Sequence, residues 1–579
     1  MSSAVSAGER PEVDPVTAAI VAGKLGAVVD DMATTLANVA PSRLLSTSRA
    51  FACALLDERG EVVTIDSPTH LPTVQETVAN CLDAYQFDIA SDDVIVTNDP
   101  YGGGSSVHHL TLVAPVGIEE ETVAYLAVQA HMADIGGTVI GNYNPIAWEL
   151  WQEGARFTPL KVVVEGKRRR SAIDTLLLNG RQPAAYRGDL EAVLATANVG
   201  RERVAQLVAE QGLERTRQGM ETSIVYAERR FRAALARLPE GEFEGAATLD
   251  HDGQGRRDLS VRVSLRRDGE DGVALDFSAS DEQSAGFVNS PRANTVAFGL
   301  LPLLGLIDDS VPRNAGLLRA LAVTTRPGTL VDPTYPAPTG WCRDHVGCEI
   351  AESVGVALAA ALPEEGGVLH ASQPLLFTVD QRTVVGGVEE QLRRSDFVRL
   401  AQPGSAASAH GDGWGAPGTL SRGLFPSIEE FEAENAVAVE RLEYVTDSGG
   451  VGEHRGAPAT EVVIRLGEGD GERLFAAAAG VVHGPAGWAG GGGGGGAELR
   501  VGESVGEEEA EIEDVVFDRP LAAAARLRIR AAAGGGWGDP RRRDPERVRA
   551  DVLGGYVSAP AAAELYGQDV NVSTSEEVH

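Results

Sequence analysis

The densest group of residues able to do chemistry lies between positions 98 and 154. NDPYGGGSSVHHL runs from Asn98 to Leu110, AHMADIGG from Ala130 to Gly137, and WQEG from Trp151 to Gly154. Within it, His108, His109, His131 and Asp134 offer imidazole and carboxylate donors of the kind that hold zinc or a similar divalent ion. The same groups could act as a general base. In an extended segment adjacent residues face opposite ways, so one of His108 and His109 is expected to join His131. The bland alternative is a set of polar loop residues that satisfy backbone groups. The glycines around them let a backbone approach a ligand closely.

Other candidates carry less. Cys342, Asp344, His345 and Cys348 match no standard zinc spacing, and one loop rarely supplies every ligand, so they read as structural. Gly490 to Gly496 is a flexible loop by composition. It is not a phosphate-binding P-loop, because no Lys-Ser or Lys-Thr follows it. Arg541 to Arg543 reads as a surface run. His454, after an SGG turn, reads as structural or as part of an interface.

The elements that must position these residues alternate in type. Ile20, Val21, Leu25, Val28, Val29, Met32 and Leu36 form one apolar helical stripe, with Asp14 as N-cap and Pro15 as first helical residue. Short apolar runs at 51–56, 62–65, 94–96, 110–116 and 126–129 read as strands, the last ending near His131. Residues 73–88, 186–237, 291–305, 347–362 and 558–566 read as helices, and 243–280 as alternating strands. From about 435 to 530 the pattern is β-rich. The fold class expected is α+β or mixed α/β, multidomain, with substantial β structure around a Gly-rich central site. The expected divisions are a disordered tail (1–13), an N-terminal α/β region with the chemical residues (14–240), a central mixed α/β region (241–430), a β-rich region (431–567) and a C-terminal tail (568–579).

Composition narrows the function classes. The 579 residues suffice for about three or four structural units. With 84 acidic and 50 basic residues the formal net charge is −34, which repels phosphate backbones and argues against nucleic-acid binding. Four cysteines in so long a chain make no disulfide framework; the expectation is a reducing cytoplasm. The first residues lack the apolar core of a secretory signal, and no 18-residue apolar run would span a membrane.

The landmarks together resemble the hydantoinase B/oxoprolinase family over nearly the whole length. They include DPVT at Asp14 to Thr17, FACAL at Phe51 to Leu55, NDPYGGG at Asn98 to Gly104, HMADIGG at His131 to Gly137, QEG at Gln152 to Gly154 and GDL at Gly188 to Leu190. The second half adds LDFSAS at Leu275 to Ser280, NAG at Asn314 to Gly316, PGTLVDP at Pro327 to Pro333 and DSGGVGEHRG at Asp447 to Gly456. The longest is GGGWGDPRRRDPERVRADVLGGYVSAPAAAELYG, from Gly534 to Gly567.

That resemblance implies a B-type subunit working beside an A-type subunit with an actin/acetate-kinase-like fold. The A-type partner, not this chain, would bind ATP and phosphorylate the substrate. The leading reading is a hetero-oligomeric hydrolase acting on a phosphate-activated hydantoin, oxoproline or lactam, with no nucleic-acid or membrane partner. One alternative is a ketone carboxylase of the acetone or acetophenone type. Another is a non-catalytic B-like scaffold, which would sit beside a second B-like subunit.

The resemblance also implies a divalent metal, zinc or manganese, at His108, His109, His131 and Asp134. His131, Asp134 and His109 would be the catalytic set. The chain departs from the family pattern here. Ala50 replaces an Asp, and Ser106 and His109 stand where the family has His and Asp. A double His is reduced to His131-Met132. Residues 411–431 keep Asp412 and Gly413 but lose a His- and Asn-rich segment.

Overall fold

The computed structural model describes residues 15–570, apart from 87, 120, 270–271, 364–375, 382–393, 398–399, 414, 416–423, 436, 468–471 and 503–511. The N-terminal tail, the Asp14 cap and residues 571–579 of the C-terminal tail lie outside the described residues.

The first half is built on a seven-stranded sheet. Its strands are β1 (Phe51–Asp57), β2 (Val62–Ile65), β3 (Val94–Thr97), β4 (His109–Ile118), β5 (Glu121–His131), β6 (Leu160–Val164) and β7 (Lys167–Arg168), in the order β2-β1-β5-β4-β3-β6-β7. Every pairing in it is antiparallel. Both faces are covered, which is why FACALL is apolar throughout rather than alternating. Phe51, Cys53 and Leu55 face a core shared with Val21, Leu25, Met32 and Leu36 of helix Pro15–Val39. Ala52, Ala54 and Leu56 face the opposite core, with Leu71, Val74 and Val78 of helix Leu71–Tyr85. The period-2 alternation of a strand thus serves two layers at once.

The stretch read as one helix over 186–237 is two, Pro183–Gln211 and Leu213–Leu235. The break falls at Gly212, whose φ of +86° suits glycine and not a continuing helix. A second sheet follows, with β8 (Gly241–His251), β9 (Arg257–Arg267), β10 (Val273–Asp276) and β11 (Leu321–Thr324) in the order β11-β10-β9-β8. Helix Val346–Ala361 packs on its face. The core under that helix is continuous with one face of the first sheet and reaches Phe475 and Ala479.

Two further four-stranded sheets take most of their strands from the stretch read as β-rich, but one also draws strands Leu376–Gln381 and Arg394–Phe397 from the expected central region. Val462, Ile464, Leu474, Leu499, Leu527 and Ile529 form the core between their strands. The terminal segment read as a helix is a short α-turn at Ala559–Ala561 that runs into a π-turn, Ala562–Tyr566. Arg543, expected at the surface, is buried: its guanidinium donates to Asp412 at 2.6 and 2.8 Å and to Asp551 at 2.7 and 3.1 Å. Three successive arginines gave no sign that the last of them turns inward.

Gly490 to Gly496 is not a loose loop. Gly492 donates to Val451 O, Gly494 to Pro485 O and Gly495 to Ser448 O, at 2.7–2.9 Å, and Gly536 donates to Gly492 O at 2.9 Å. Gly450 donates in turn to Gly534 O at 2.8 Å. These backbones stack with no side chains between them. A Cβ on Gly534 would lie 1.8 Å from the carbonyl oxygen of Ser405.

Candidate active site: a buried imidazole cluster

His109 opens β4 and His131 closes β5, and the two are register partners. Opposite residues of an antiparallel pair share a face, and their rings are 4.9 Å apart. Two residues further along, the same face carries the pair Thr111 and Gln129. Gln129 ties that face to the turn Pro68–His70. Its Oε1 accepts from His70 Nδ1 at 2.7 Å and from Thr73 Oγ1 at 2.9 Å, while its Nε2 donates to Thr111 Oγ1 at 2.9 Å. His70 is thereby brought to 5.9 Å from His109. Sequence reasoning missed His70, because nothing in the spacing of DSPTHLP marks it.

His108 also joins the cluster, against the expectation that adjacent histidines diverge. That expectation assumed an extended chain, but His109 N bonds back to Ser106 O at 3.2 Å, so the chain turns just before β4. His108 stacks on His131, with centroids 5.6 Å apart and planes 9° from parallel. Trp341 closes this side at 5.4 Å from His131. His109 Nδ1 meets Ser106 Oγ at 2.9 Å.

Burial lowers the His108 imidazole to a pKa of about 4. It also holds His109 well below its usual value, helped by His131, Arg343, His70 and His108. Both rings are neutral at physiological pH. A neutral His108 carries hydrogen on one nitrogen only. Its Nδ1 lies 3.0 Å from Gly340 O and its Nε2 3.2 Å from Glu153 O; the shorter contact assigns the donor to Nδ1.

Glu153, the acid of the QEG motif, is fully buried behind His108. Its carboxylate accepts from Thr339 N at 2.9 Å and Gly340 N at 2.7 Å. Burial outweighs those two bonds and raises it to about 8. Asp134 is placed differently. Its oxygens accept from Gly136 N, Gly141 N, Arg181 N and Arg181 Nη1, at 2.9–3.3 Å. It therefore orders the ADIGG loop. Asn98 does similar work, donating to Val107 O and Ala155 O and accepting from Phe157 N.

The segment 342–348 lines the same region, and its cysteines are free and buried. Cys342 Sγ donates to Ser105 O at 3.2 Å, and Cys348 Sγ lies against the carbonyls of Arg343 and Asp344. Burial pushes both thiols above their usual range. His345 Nε2 meets Tyr143 OH at 3.2 Å. Arg343, which sequence reasoning passed over between two cysteines, is buried beside the histidines.

The donor set fits a divalent ion poorly. Both nitrogens of His108 face carbonyls, His109 Nδ1 is engaged by Ser106, and the carboxylate of Asp134 is filled by N–H donors. Among the described residues, no three His, Cys, Asp or Glu side chains are placed to hold one ion. A cation would also sit near a buried guanidinium. The arrangement is suited instead to donating hydrogen bonds, accepting a proton at imidazole, and holding negative charge.

Comparison with known proteins agrees over the full length. The chain is 30% identical over 578 residues to the beta subunit of the caprolactamase of Pseudomonas jessenii, covering 96% of each. It is 28% identical to the B-type subunit of a putative D-/L-hydantoinase of Pseudomonas sp. (strain NS671), covering 98% of this chain and 97% of that one. The fold superimposes on the crystal structure of the ATP-dependent caprolactamase of P. jessenii with a TM-score of 0.87 at 27% identity, over 97% of both chains. A nucleotide-free acetone carboxylase shares the fold, with a TM-score of 0.83 at 16% identity over 98% of this chain and 81% of that one. The hydantoinase B/oxoprolinase family model matches residues 14–540, and the chain belongs to that family.

Proposed function

We propose that this chain is the B-type subunit of an ATP-dependent complex that hydrolyses a phosphate-activated cyclic amide of the lactam or hydantoin type. The observation that carries this reading is its likeness, over 97% of both chains, to a caprolactamase structure. The 30% identity to the corresponding caprolactamase polypeptide supports it further. An A-type partner would bind ATP and phosphorylate the amide, and this chain would supply the hydrolytic pocket.

The residues assigned to the chemistry are His131 and His109. At one end of a rigid hairpin, these imidazoles accept a proton from water and donate N–H to developing negative charge. His108 stacks on His131 and fixes its plane. Asp134 acts at a distance, by holding the loop that follows His131 through Arg181.

The test is co-purification with an A-type partner and measurement of phosphate release with caprolactam or hydantoin. Turnover that needs the cyclic amide and not bicarbonate supports the reading. Turnover only with a ketone and bicarbonate replaces it with the carboxylase reading. A scaffold role draws on the family resemblance, which implies a His and an Asp at the positions that Ser106 and His109 occupy here. It requires His131→Ala to leave turnover unchanged.

A further inference from the structure

Arg343 is a buried cation whose guanidinium touches a threonine and an aromatic ring. It precedes helix Val346–Ala361 and is 3% exposed. Its Nη1 donates to Thr69 O at 3.3 Å and its Nη2 to Thr69 Oγ1 at 3.0 Å. Its guanidinium carbon lies 5.4 Å from the centre of the Phe298 ring. Asp344 attracts it only through space, and no carboxylate among the described residues forms an ion pair with it.

Burial lowers Arg343 to about 10, so it remains charged at neutral pH. An unpaired buried charge costs several kcal/mol unless something compensates it. Beyond Thr69, Phe298 and the pull of Asp344, its charge is felt by His109, whose ring neighbours His131 and His70 are imidazoles. They are N–H donors when neutral and cations when protonated. His109 and His131 retain 7% and 8% exposure, so the edge of the cluster reaches solvent. A planar guanidinium fork beside N–H donors is the donor pattern that binds a tetrahedral oxyanion.

We infer that Arg343, with the imidazoles of His109 and His131, forms an oxyanion subsite that receives the phosphoryl group of the activated substrate. The identity of the anion rests on the hydrolase reading above; the existence of an anion site does not. Thr69 orients the guanidinium, and the hairpin register fixes the two imidazoles.

The experiment measures binding of inorganic phosphate to the full chain by isothermal titration calorimetry, with bicarbonate as a second titrant. Wild type, Arg343→Met and Arg343→Lys are compared, with circular dichroism reporting folding. Saturable 1:1 phosphate binding is expected, weakened at least tenfold in Arg343→Met and severalfold in Arg343→Lys, with bicarbonate binding more weakly. If Arg343→Met does not fold, Arg343→Lys decides, because it keeps the charge and loses the fork. No saturable phosphate binding by wild type, or unchanged affinity in the folded variants, overturns the subsite. Bicarbonate binding as tight as phosphate overturns the phosphoryl assignment. Phosphate binding that depends on Arg343 in a complex inactive on cyclic amides keeps the subsite and removes the hydrolase reading.

Discussion

Glu153 and His108 grip the two sides of one residue. The Glu153 carboxylate accepts from Gly340 N at 2.7 Å, and His108 Nδ1 donates to Gly340 O at 3.0 Å. A turn 187 positions further along the chain than Glu153 is thus locked to the loop that carries the histidines.

The first prediction follows from the charge state of Glu153. Its folded pKa of about 8 lies above the usual 4.5, so between these values the folded protein holds a proton that the unfolded chain has released. Stability attributable to this group is full below pH 4.5 and is lost as pH rises through 8. Urea unfolding between pH 5 and 9 should show that decline. Glu153→Gln should flatten it, while costing about 1–3 kcal/mol at low pH because one backbone donor loses its acceptor. An unchanged slope in the variant would show that another group titrates.

Loss of His131 removes an imidazole that no neighbour can replace from the same register position. His131→Ala in the assembled complex should lower turnover by about 10²-fold or more, with the helical signal in circular dichroism retained. Near-wild-type turnover would favour the scaffold role.

A further pair of substitutions addresses why the donor set suits an anion. Ser106→His combined with His109→Asp restores the His and Asp expected from relatives. The double variant should acquire stoichiometric zinc or manganese, measured by inductively coupled plasma mass spectrometry after dialysis, while wild type stays well below one ion per chain. Equal metal content in both would contradict the poor fit argued from Asp134 and His108.

Arg543 joins Asp412 and Asp551 beneath the C-terminal helix Pro545–Leu553. Arg543→Met leaves two carboxylates without their shared cation and should cost about 3–5 kcal/mol. Chemical denaturation measures this directly.

Glycines in the stacked layer and elsewhere should respond oppositely to alanine. Gly534→Ala places a methyl group against Ser405 O and should cost more than about 4 kcal/mol. Nothing lies within 4 Å of a Cβ built on Gly305, so Gly305→Ala should stay within about 0.5 kcal/mol of wild type.

Much of this architecture is legible in the residues. Periodicity placed helix Pro15–Val39 and the apolar strands, because burial on one helical face or on both faces of a sheet leaves a pattern in the sequence. His109 and His131 were legible as chemistry-bearing residues at strand ends. Their pairing was not, because register is set only when the two strands meet. The entry of His70 and Arg343 into the site, and the role of Glu153 within its QEG motif, were hidden for a related reason. Each enters the site through tertiary contacts with partners at least 59 positions away, Gln129, Gly340 and Thr69. Local spacing carries no trace of those contacts.

The glycine layer bears on the order in which the chain folds. Gly450 and Gly534 are bonded across 84 positions, and neither brings a side chain that could drive early collapse. Closing loops of that length costs entropy before any contact repays it. The layer must therefore close late, after the flanking strands have docked. Until the ribosome has released Gly534 to Trp537, the N–H of Gly450, the carbonyl of Gly492 and both backbone groups of His454 lack their native partners. During synthesis the imidazole half of the molecule can complete its sheet while the glycine half is still waiting for its last strand.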